Sequence, residues 1–214
     1  MTDELFDILD CTGRKTGKTI ERNEAHRSGA WHGAFHCLIV YTREGRPYAW
    51  FQKRSASKKI APGRFDVSVG GHYAAGEDAR IAGPREIGEE LGLRVEFPEL
   101  VPVGRRVFVY CFTRGVTEYE FQDVYLLPST EQPRDVLLQD EEVEGLLEMD
   151  VEAGISLFNG GVTELECRML APDRLWKKRV IRAEEFVPCL DNYYLKLLLL
   201  ARRYFQGERK LLVI

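Results

Sequence analysis

The chain has 214 residues, of which 44% are hydrophobic and 30% charged, and its formal net charge is −4. This composition excludes a disordered or collagen-like chain, and the acidic balance argues against a broad basic face that binds nucleic acid. The longest strongly apolar run, residues 197–201, is far shorter than the roughly 20 residues of a membrane span. The N-terminus has no signal-peptide pattern and the five cysteines are scattered, so we expect a cytoplasmic protein with reduced thiols.

The first third of the chain predicts mostly strands. Residues 4–20 are typical of a β-hairpin with its turn at Thr12 and Gly13, and residues 22–26 of a single helical turn. β-branched and aromatic residues indicate three further strands, over 35–42, 48–53 and 65–69.

The rest of the chain alternates strands with helices. A helix over 86–91 is predicted to end at Gly92, and two strands flank a turn at Arg114 and Gly115. The remaining predictions are strands over 103–113 and 118–127 and helices over 151–158 and 194–205. Strands interleaved with helices predict an α/β or α+β fold.

Three glutamates on one predicted helix carry the most chemical content. Glu86, Glu89 and Glu90 stand at i, i+3 and i+4, so one helix face holds three carboxylates that repel by roughly 0.2–0.5 kcal/mol per pair. A hard divalent cation would cancel this repulsion, and oxygen ligands suit Mg²⁺ or Mn²⁺. Since such ions also take phosphate oxygens, the implied substrate is a phosphate ester or anhydride. For the three glutamates alone, the alternative is a solvated acidic face.

The residues around these glutamates suggest supporting roles. Gly71 would let the backbone approach a ligand closely, and Glu77 can reach back over the turn to orient ligands or a water. Arg85 can hold a carboxylate by a bidentate pair. Pro84 would cost about 3 kcal/mol inside a helix, so we expect the helix to kink there or to begin there, with Pro84 in its first turn.

The complete spacing is similar to a known signature. Gly71, Glu77, Arg85, Glu86, Glu89, Glu90 and Gly92, with apolar Ile87 and Leu93, resemble the box of the Nudix hydrolases, which cleave nucleoside and other organic diphosphates. The resemblance implies Glu86, Glu89 and Glu90 as metal ligands, Mg²⁺ or Mn²⁺ as cofactor, and catalytic roles for Glu89, Arg85 and Glu77. It also implies an α/β/α sandwich with a mixed central sheet, an N-terminal β-hairpin and a C-terminal helix.

We expect the chain to divide into an N-terminal extension over 1–30, a Nudix domain over 31–160 and a C-terminal helical extension over 161–214. The predicted C-terminal helix is apolar nearly all round, at Leu195 and residues 197–200. It must therefore pack on its own core or on a second copy in a homodimer.

Motifs outside the box resemble one branch of the family, which contains isopentenyl diphosphate isomerases and their hydrolase relatives. These motifs include residues 6–9, 52–55 and 62–63, and the resemblance covers roughly residues 4–155. The isomerases need a cysteine where this chain has Gly70, and they lose the box that is intact here. Both differences favour a hydrolase. Isomerase-type activity and a non-catalytic diphosphate-binding module are the alternatives.

Further site residues are implied by the same branch. Arg54 and Lys58 match its diphosphate-binding positions, and Gly70 and Gly71 are predicted to lie against the substrate; a solubilising loop is the alternative for the two cations. Glu142, or Glu144, in the acidic run 140–144 is a candidate activating base, although a charge run is ordinarily solvated.

A second metal site is also suggested. His32, His72, Glu118 and Glu120 match the branch's metal-site residues, and His26 matches with a one-residue slip. Glu118 and Glu120 alternate on a strand, which puts both carboxylates on one face. The alternative is hydrogen-bonded histidines and a water-exposed hairpin.

The expected partner is a small-molecule diphosphate. We expect the chain to bind neither nucleic acid nor a membrane. Relatives in this branch suggest an ADP-ribose-like compound or an isoprenoid diphosphate as the substrate.

Overall fold

The computed structural model describes residues 4–113, 116–129, 132 and 136–214. The predicted turn at Arg114 and Gly115 lies outside the described residues. The strands are β1 Leu5–Leu9, β2 Lys15–Glu21, β3 His32–Arg43, β4 Arg46–Arg54, β5 Phe65–Asp66, β6 Val69–His72, β7 Val101–Thr113, β8 Val116–Ser129, β9 Val143–Asp150, β10 Leu165–Leu170 and β11 Trp176–Ile181. The helices are α1 Arg22–Ser28, α2 Ala79–Leu91, α3 Val151–Phe158 and α4 Tyr193–Phe205.

Two sheets organise these strands. The antiparallel hairpin β1–β2 stands apart, as predicted. The other strands form one mixed sheet in the order β11-β10-β9-β4-β3-β8-β7, with β5 paired to β4 and β6 paired to β3. Strands β3 and β8 are parallel, whereas β4 pairs antiparallel with both β3 and β9.

The period-two alternation of β3 divides the core between the two faces of the large sheet. Leu38 and Val40 join a cluster with Leu197 and Leu198 of α4. The odd-numbered residues from Phe35 to Tyr41 face the other way and join a cluster with Ile87 and Leu91 of α2. Because helices cover both faces, the predicted α/β/α sandwich is confirmed.

The apolar C-terminal helix is buried within its own chain. Leu197, Leu198, Leu200 and Ala201 are buried, and α4 packs against α3 and β4. Burial of this helix therefore needs no second copy. In the part of the chain that the structure describes, no helix combines the length and apolarity required to cross a membrane.

Two expectations differ from the structure. Residues 161–214, expected to be helical, also supply β10 and β11, and β11 carries exposed Lys177 and Lys178, charges that are common on edge strands and mask the strand pattern. Helix α2 begins at Ala79 and not at Pro84, because the Asp78 side chain caps it by accepting a hydrogen bond from the Arg80 amide at 2.8 Å. Pro84 therefore stands in the second turn.

Candidate functional site

A cavity of about 850 Å³ collects most of the residues that the sequence singled out. Its wall includes nine of the predicted site residues: Arg54, Lys58, Gly70, Gly71, Arg85, Glu86, Glu89, Glu90 and Glu142. Glu77, Glu144 and His32 are predicted residues that do not line it. His26, His72, Glu118 and Glu120 line the same cavity. The structure thus brings residues of both predicted metal clusters to one cavity, with His32 buried behind its wall.

The carboxylates of α2 differ in their burial. Glu86 and Glu90 are only 8% and 3% exposed, whereas Glu89 is exposed. Burial, with the neighbouring charge of Glu86, raises the pKa of Glu90 to about 8, and burial raises that of Glu86 as well. Two buried carboxylates in one cavity are costly without a compensating cation. This donor set is entirely oxygen and therefore fits Mg²⁺ or Mn²⁺.

Short polar contacts hold Glu90 in place. The Gly70 amide and the Gln52 side-chain amide donate to its Oε2 atom at 3.3 and 3.2 Å. Both donors come from the sheet, Gly70 from β6 and Gln52 from β4. The contacts therefore fix one predicted metal ligand against the strands beneath α2.

Gly71 makes room for a second predicted ligand. A Cβ atom at this position would stand 2.1 Å from the carboxyl carbon of Glu86. A side chain at position 71 and the observed position of the Glu86 carboxylate therefore exclude each other. Packing against Glu86 is therefore a structural reason for glycine at position 71, in addition to its predicted contact with substrate.

Arg85 donates hydrogen bonds to three glutamates of the box. Its Nε and Nη2 atoms donate to the two carboxylate oxygens of Glu77 at 3.0 and 2.7 Å, and Nη1 donates to Glu86 and Glu89 at 2.8 and 3.0 Å. The expected bidentate pair is present, with Glu77 as its acceptor. Glu77 also accepts from the Ala74 amide at 3.0 Å, so both of its oxygens are occupied. Glu77 thus orients Arg85, and its expected role toward a ligand or a water stays a prediction.

Two residues predicted for separate roles touch each other. Lys58 donates to the Glu142 carboxylate, and the Ser55 amide donates to the Glu142 carbonyl at 2.9 Å. Burial lowers the pKa of Lys58 to about 8. Arg54 donates to Asp66 at 3.4 Å. Because these cations line the cavity beside the acidic residues, the solubilising-loop alternative does not describe them.

The histidine cluster has the features of a metal site. One ligand atom from each of His26, His32, His72 and Glu118 lies within 4.8 Å of the others. The Nε2 atoms of His26 and His32 and both carboxylate oxygens of Glu118 are buried and accept no hydrogen bond from any described residue. Each such group typically costs about 1–3 kcal/mol, which a cation would recover. The residues therefore fit a divalent metal.

The protonation states of this cluster are set by its burial. His32 Nδ1 lies 2.8 Å from the Ala30 carbonyl, so its hydrogen is donated to that oxygen and Nε2 is the ring nitrogen directed at the cluster. Burial lowers the pKa of His26 to about 3, so this imidazole is neutral. Burial and the charge of Glu120 raise the pKa of Glu118 to about 10. Both glutamates are buried, which contradicts the water-exposed hairpin.

Several cavity residues were missed by sequence reasoning. They are His36 on β3, Asp66 on β5, and Val187, Pro188, Cys189 and Tyr194 near the C-terminus. The C-terminal members lie more than 90 residues after the box, and nothing in their spacing signals a site. The isomerases have a cysteine at the position of Gly70; in this chain the wall instead contains the thiol of Cys189. Burial raises the pKa of this thiol.

Because the carboxylate of Glu90 is buried, we expect its replacement by an uncharged side chain to stabilise the protein. In the metal-free protein, its raised pKa means that stability is lost as pH rises from near 4.5 to about 8. Glutamine does not titrate, so we expect Glu90→Gln to raise Tm by roughly 5 °C at pH 8 and by much less at pH 5. Calorimetry in chelator measures both values. An equal Tm for the two proteins at both pH values would contradict the assigned burial cost.

Comparison with known proteins identifies the family. A model described as the NUDIX domain matches residues 30–161, and the chain therefore belongs to the Nudix hydrolase family. A Clostridium acetobutylicum protein described as an uncharacterized Nudix hydrolase is 29% identical over 198 residues, covering 91% of this chain and 95% of that protein. An isopentenyl-diphosphate Delta-isomerase of Aliivibrio fischeri is 28% identical over 137 residues, covering 63% and 75%. Within the family, the chain lies in the isopentenyl-diphosphate-isomerase-like branch.

Two further matches are partial or structural. Nudix hydrolase 3 of Arabidopsis thaliana is 36% identical over 132 residues, which are 59% of this chain and 16% of that protein. The crystal structure of DR0079 from Deinococcus radiodurans has a TM-score of 0.54 at 24% identity, covering 74% of this chain and 90% of that one. This structural likeness concerns the fold alone.

Proposed function

We propose that the protein hydrolyses the phosphoanhydride bond of an organic diphosphate with a divalent metal and water. The observation that carries this proposal is the pair of buried carboxylates, Glu86 and Glu90, beside exposed Glu89 in a cavity that also holds Arg54 and Lys58. Mg²⁺ or Mn²⁺ bound to these carboxylates would polarise phosphate oxygens and make water more acidic.

The chain's own residues would divide the remaining tasks. A diphosphate brings about two to three negative charges into a strongly acidic cavity, so Arg54 and Lys58 would offset charge that the metal leaves. Glu142 is the candidate general base, and its carboxylate is paired with Lys58. A phosphate oxygen that binds Lys58 in place of Glu142 would free the Glu142 carboxylate to accept a proton.

The character of the wall favours a polar organic group on the diphosphate. Most residues of the cavity wall carry carboxylates, imidazoles, amides or cations, and apolar side chains such as Ile60, Phe108 and Val187 are the minority. A hydrocarbon chain would leave many of these polar groups without hydrogen bonds. Between the two expected substrates, the cavity thus favours an ADP-ribose-like compound over an isoprenoid diphosphate.

A second divalent ion at the histidine cluster is part of this proposal. Its support is the set of buried, unpartnered atoms on His26, His32 and Glu118. Titration of chelator-treated protein with Mn²⁺ should give two sites for wild type and one for Glu118→Gln. Equal stoichiometry in the two proteins would contradict a metal at this cluster.

The test of function is a substrate panel with Mg²⁺ and Mn²⁺. ADP-ribose, dinucleotides, nucleotide sugars and isoprenoid diphosphates should be compared, with products separated by chromatography. We expect hydrolysis of an ADP-ribose-like compound. The same samples, given isopentenyl diphosphate, should yield no allylic isomer, because Gly70 offers no proton-transferring side chain. Formation of that isomer would favour the isomerase alternative, and binding without turnover the binding module.

Arg54 should act mainly in substrate binding. We expect Arg54→Ala to raise KM about tenfold and to leave kcat within about threefold, because the guanidinium would hold phosphate oxygens away from the attacked atom. Arg94→Ala removes an exposed arginine beyond α2 and is the matched control. Unchanged KM in Arg54→Ala would show that Arg54 takes no part in binding.

A further inference from the structure

His36 is a buried imidazole in the cavity with no part in the roles described so far. It lies on β3, is only 9% exposed, and lines the cavity. Its Nδ1 atom is 3.0 Å from the Tyr193 hydroxyl. Its Nε2 atom makes no hydrogen bond to any described residue and lies 3.4 Å from where a Cβ atom on Gly70 would stand. Since position 70 is glycine, that space is left for a ligand atom.

The hydrogen bond to Tyr193 determines which ring nitrogen of His36 carries the hydrogen. Burial raises the pKa of Tyr193 well above its usual range and lowers that of His36 to about 4, so both groups are neutral near pH 7. A buried hydroxyl hydrogen without an acceptor is costly, and His36 Nδ1 is the acceptor within reach among the described residues. The hydroxyl therefore donates to Nδ1, and the ring hydrogen sits on Nε2. This leaves an uncharged N–H donor facing the cavity.

The next residue, Tyr194, makes an equivalent contact. Its hydroxyl donates to Oδ1 of Asp66 at 3.1 Å, and Oδ2 of Asp66 accepts from Arg54 at 3.4 Å. Adjacent tyrosines in the first turn of α4 thus each hold one polar residue of the cavity wall. Both lie outside residues 30–161, the part that matches the Nudix domain.

The position of His36 indicates what its donor would bind. Gly70, which lies against the His36 ring, donates its amide to Glu90 at 3.3 Å. The Nε2–H group therefore lies beside a strand residue whose amide contacts Glu90, one of the carboxylates predicted to bind metal, and these carboxylates line the same cavity. An uncharged donor there can bind a phosphate oxygen without bringing a positive charge near the metal.

We propose that His36 donates its Nε2–H to a phosphate oxygen of the substrate, and that Tyr193 and Tyr194 are positioning residues through which the C-terminal extension orients His36 and Arg54. The proposal deepens the proposed function and rests on a diphosphate occupying this cavity. It assigns a binding role to a residue of β3 and a positioning role to a helix outside the Nudix domain.

Four variants test the proposal through KM and kcat on the best substrate of the panel. His36→Leu removes the donor and should raise KM about tenfold or more, with kcat within about threefold. His36→Gln keeps an N–H donor at a similar distance and should restore most of the affinity. Tyr193→Phe deletes one buried hydroxyl and should raise KM severalfold. Tyr204→Phe deletes a hydroxyl from the far end of the same helix and should match wild type.

Two readouts do not depend on turnover. Nitrogen-15 NMR of wild type should show the hydrogen of His36 on Nε2, and Tyr193→Phe should lose this fixed tautomer. Calorimetric binding of inorganic pyrophosphate in chelator should be about tenfold weaker for His36→Leu than for wild type. If no organic diphosphate is hydrolysed but these readouts hold, the proposed function fails and the binding role of His36 stands. A hydrogen on Nδ1 in wild type, or unchanged KM and pyrophosphate affinity in His36→Leu, would overturn the inference.

Discussion

Replacing Glu90 with glutamine is expected to lower turnover at least 10³-fold while the protein stays folded. Glu90 lies almost fully buried between α2 and the sheet, and a glutamine amide keeps its shape but not its charge. Loss of one carboxylate from a divalent-metal site removes several kcal/mol of transition-state stabilisation, and each 1.36 kcal/mol is a factor of ten in rate. The measurement is kcat with saturating Mg²⁺ and again with Mn²⁺.

Glu184→Gln is the control for this loss, because it neutralises an exposed glutamate that does not line the cavity. We expect it to keep wild-type turnover. Together with the higher thermal stability expected of metal-free Glu90→Gln, a large loss of activity would separate a catalytic role of this carboxylate from a structural one. Wild-type activity in excess chelator, or in Glu90→Gln, would contradict metal-dependent catalysis at α2.

Adding one methyl group at Gly71 should cost about 10²-fold in kcat. The new Cβ atom would stand 2.1 Å from the Glu86 carboxyl carbon, so the carboxylate must leave its position. A displacement of about 1 Å in a catalytic group is enough for a loss of this size. Steady-state kinetics and Mn²⁺ affinity of Gly71→Ala measure the effect, and we expect both to fall.

The matched control is Gly88→Ala on α2. Gly88 is exposed, and the nearest atom to its added Cβ is the Leu93 carbonyl oxygen at 3.7 Å, an ordinary contact. Alanine in a helix is favoured over glycine by roughly 0.5–1 kcal/mol, so this variant should keep activity and gain stability. Equal activity of Gly71→Ala and wild type would mean that Glu86 functions equally well in another position.

The parts of this protein that local spacing determines could be predicted from sequence. The i, i+3, i+4 glutamates give a helix face, and Gly92 ends that helix in a left-handed conformation with φ of 68°. The hairpin before residue 21 follows from a turn signal between two short strands. Each of these features depends on residues within about one helix or one hairpin of each other.

Features that depend on tertiary packing could not be predicted. Lys58 and Glu142 are 84 residues apart and His36 and Tyr193 are 157 apart, so no local pattern joins them. β11 was missed because its charged residues reflect an edge position that only the assembled sheet defines, and β10 lies between β11 and β9. The sequence spacing places Glu77 in the box, but only the structure identifies Arg85 as its hydrogen-bond partner.

The two clusters of ionisable residues share one cavity although they come from different parts of the chain. The carboxylates belong to α2, whereas the histidine cluster is assembled from α1, β3, β6 and β8. Phe6 of the N-terminal hairpin stacks on His32 and His72, with ring centroids 5.0 and 4.8 Å apart. The hairpin thus shields the histidine cluster on one side, and the N-terminal residues form part of the candidate site.

The central claim, that this cavity hydrolyses a diphosphate at the carboxylates of α2, is tested most directly by hydrolysis in ¹⁸O-labelled water. ADP-ribose would be incubated with Mg²⁺ and either wild type or Glu90→Gln, and the two phosphate products analysed by mass spectrometry. We expect one ¹⁸O atom in one product only, formed by wild type and at least 10³-fold more slowly by Glu90→Gln. Unlabelled products, or equal labelling rates with the two proteins, would contradict the claim.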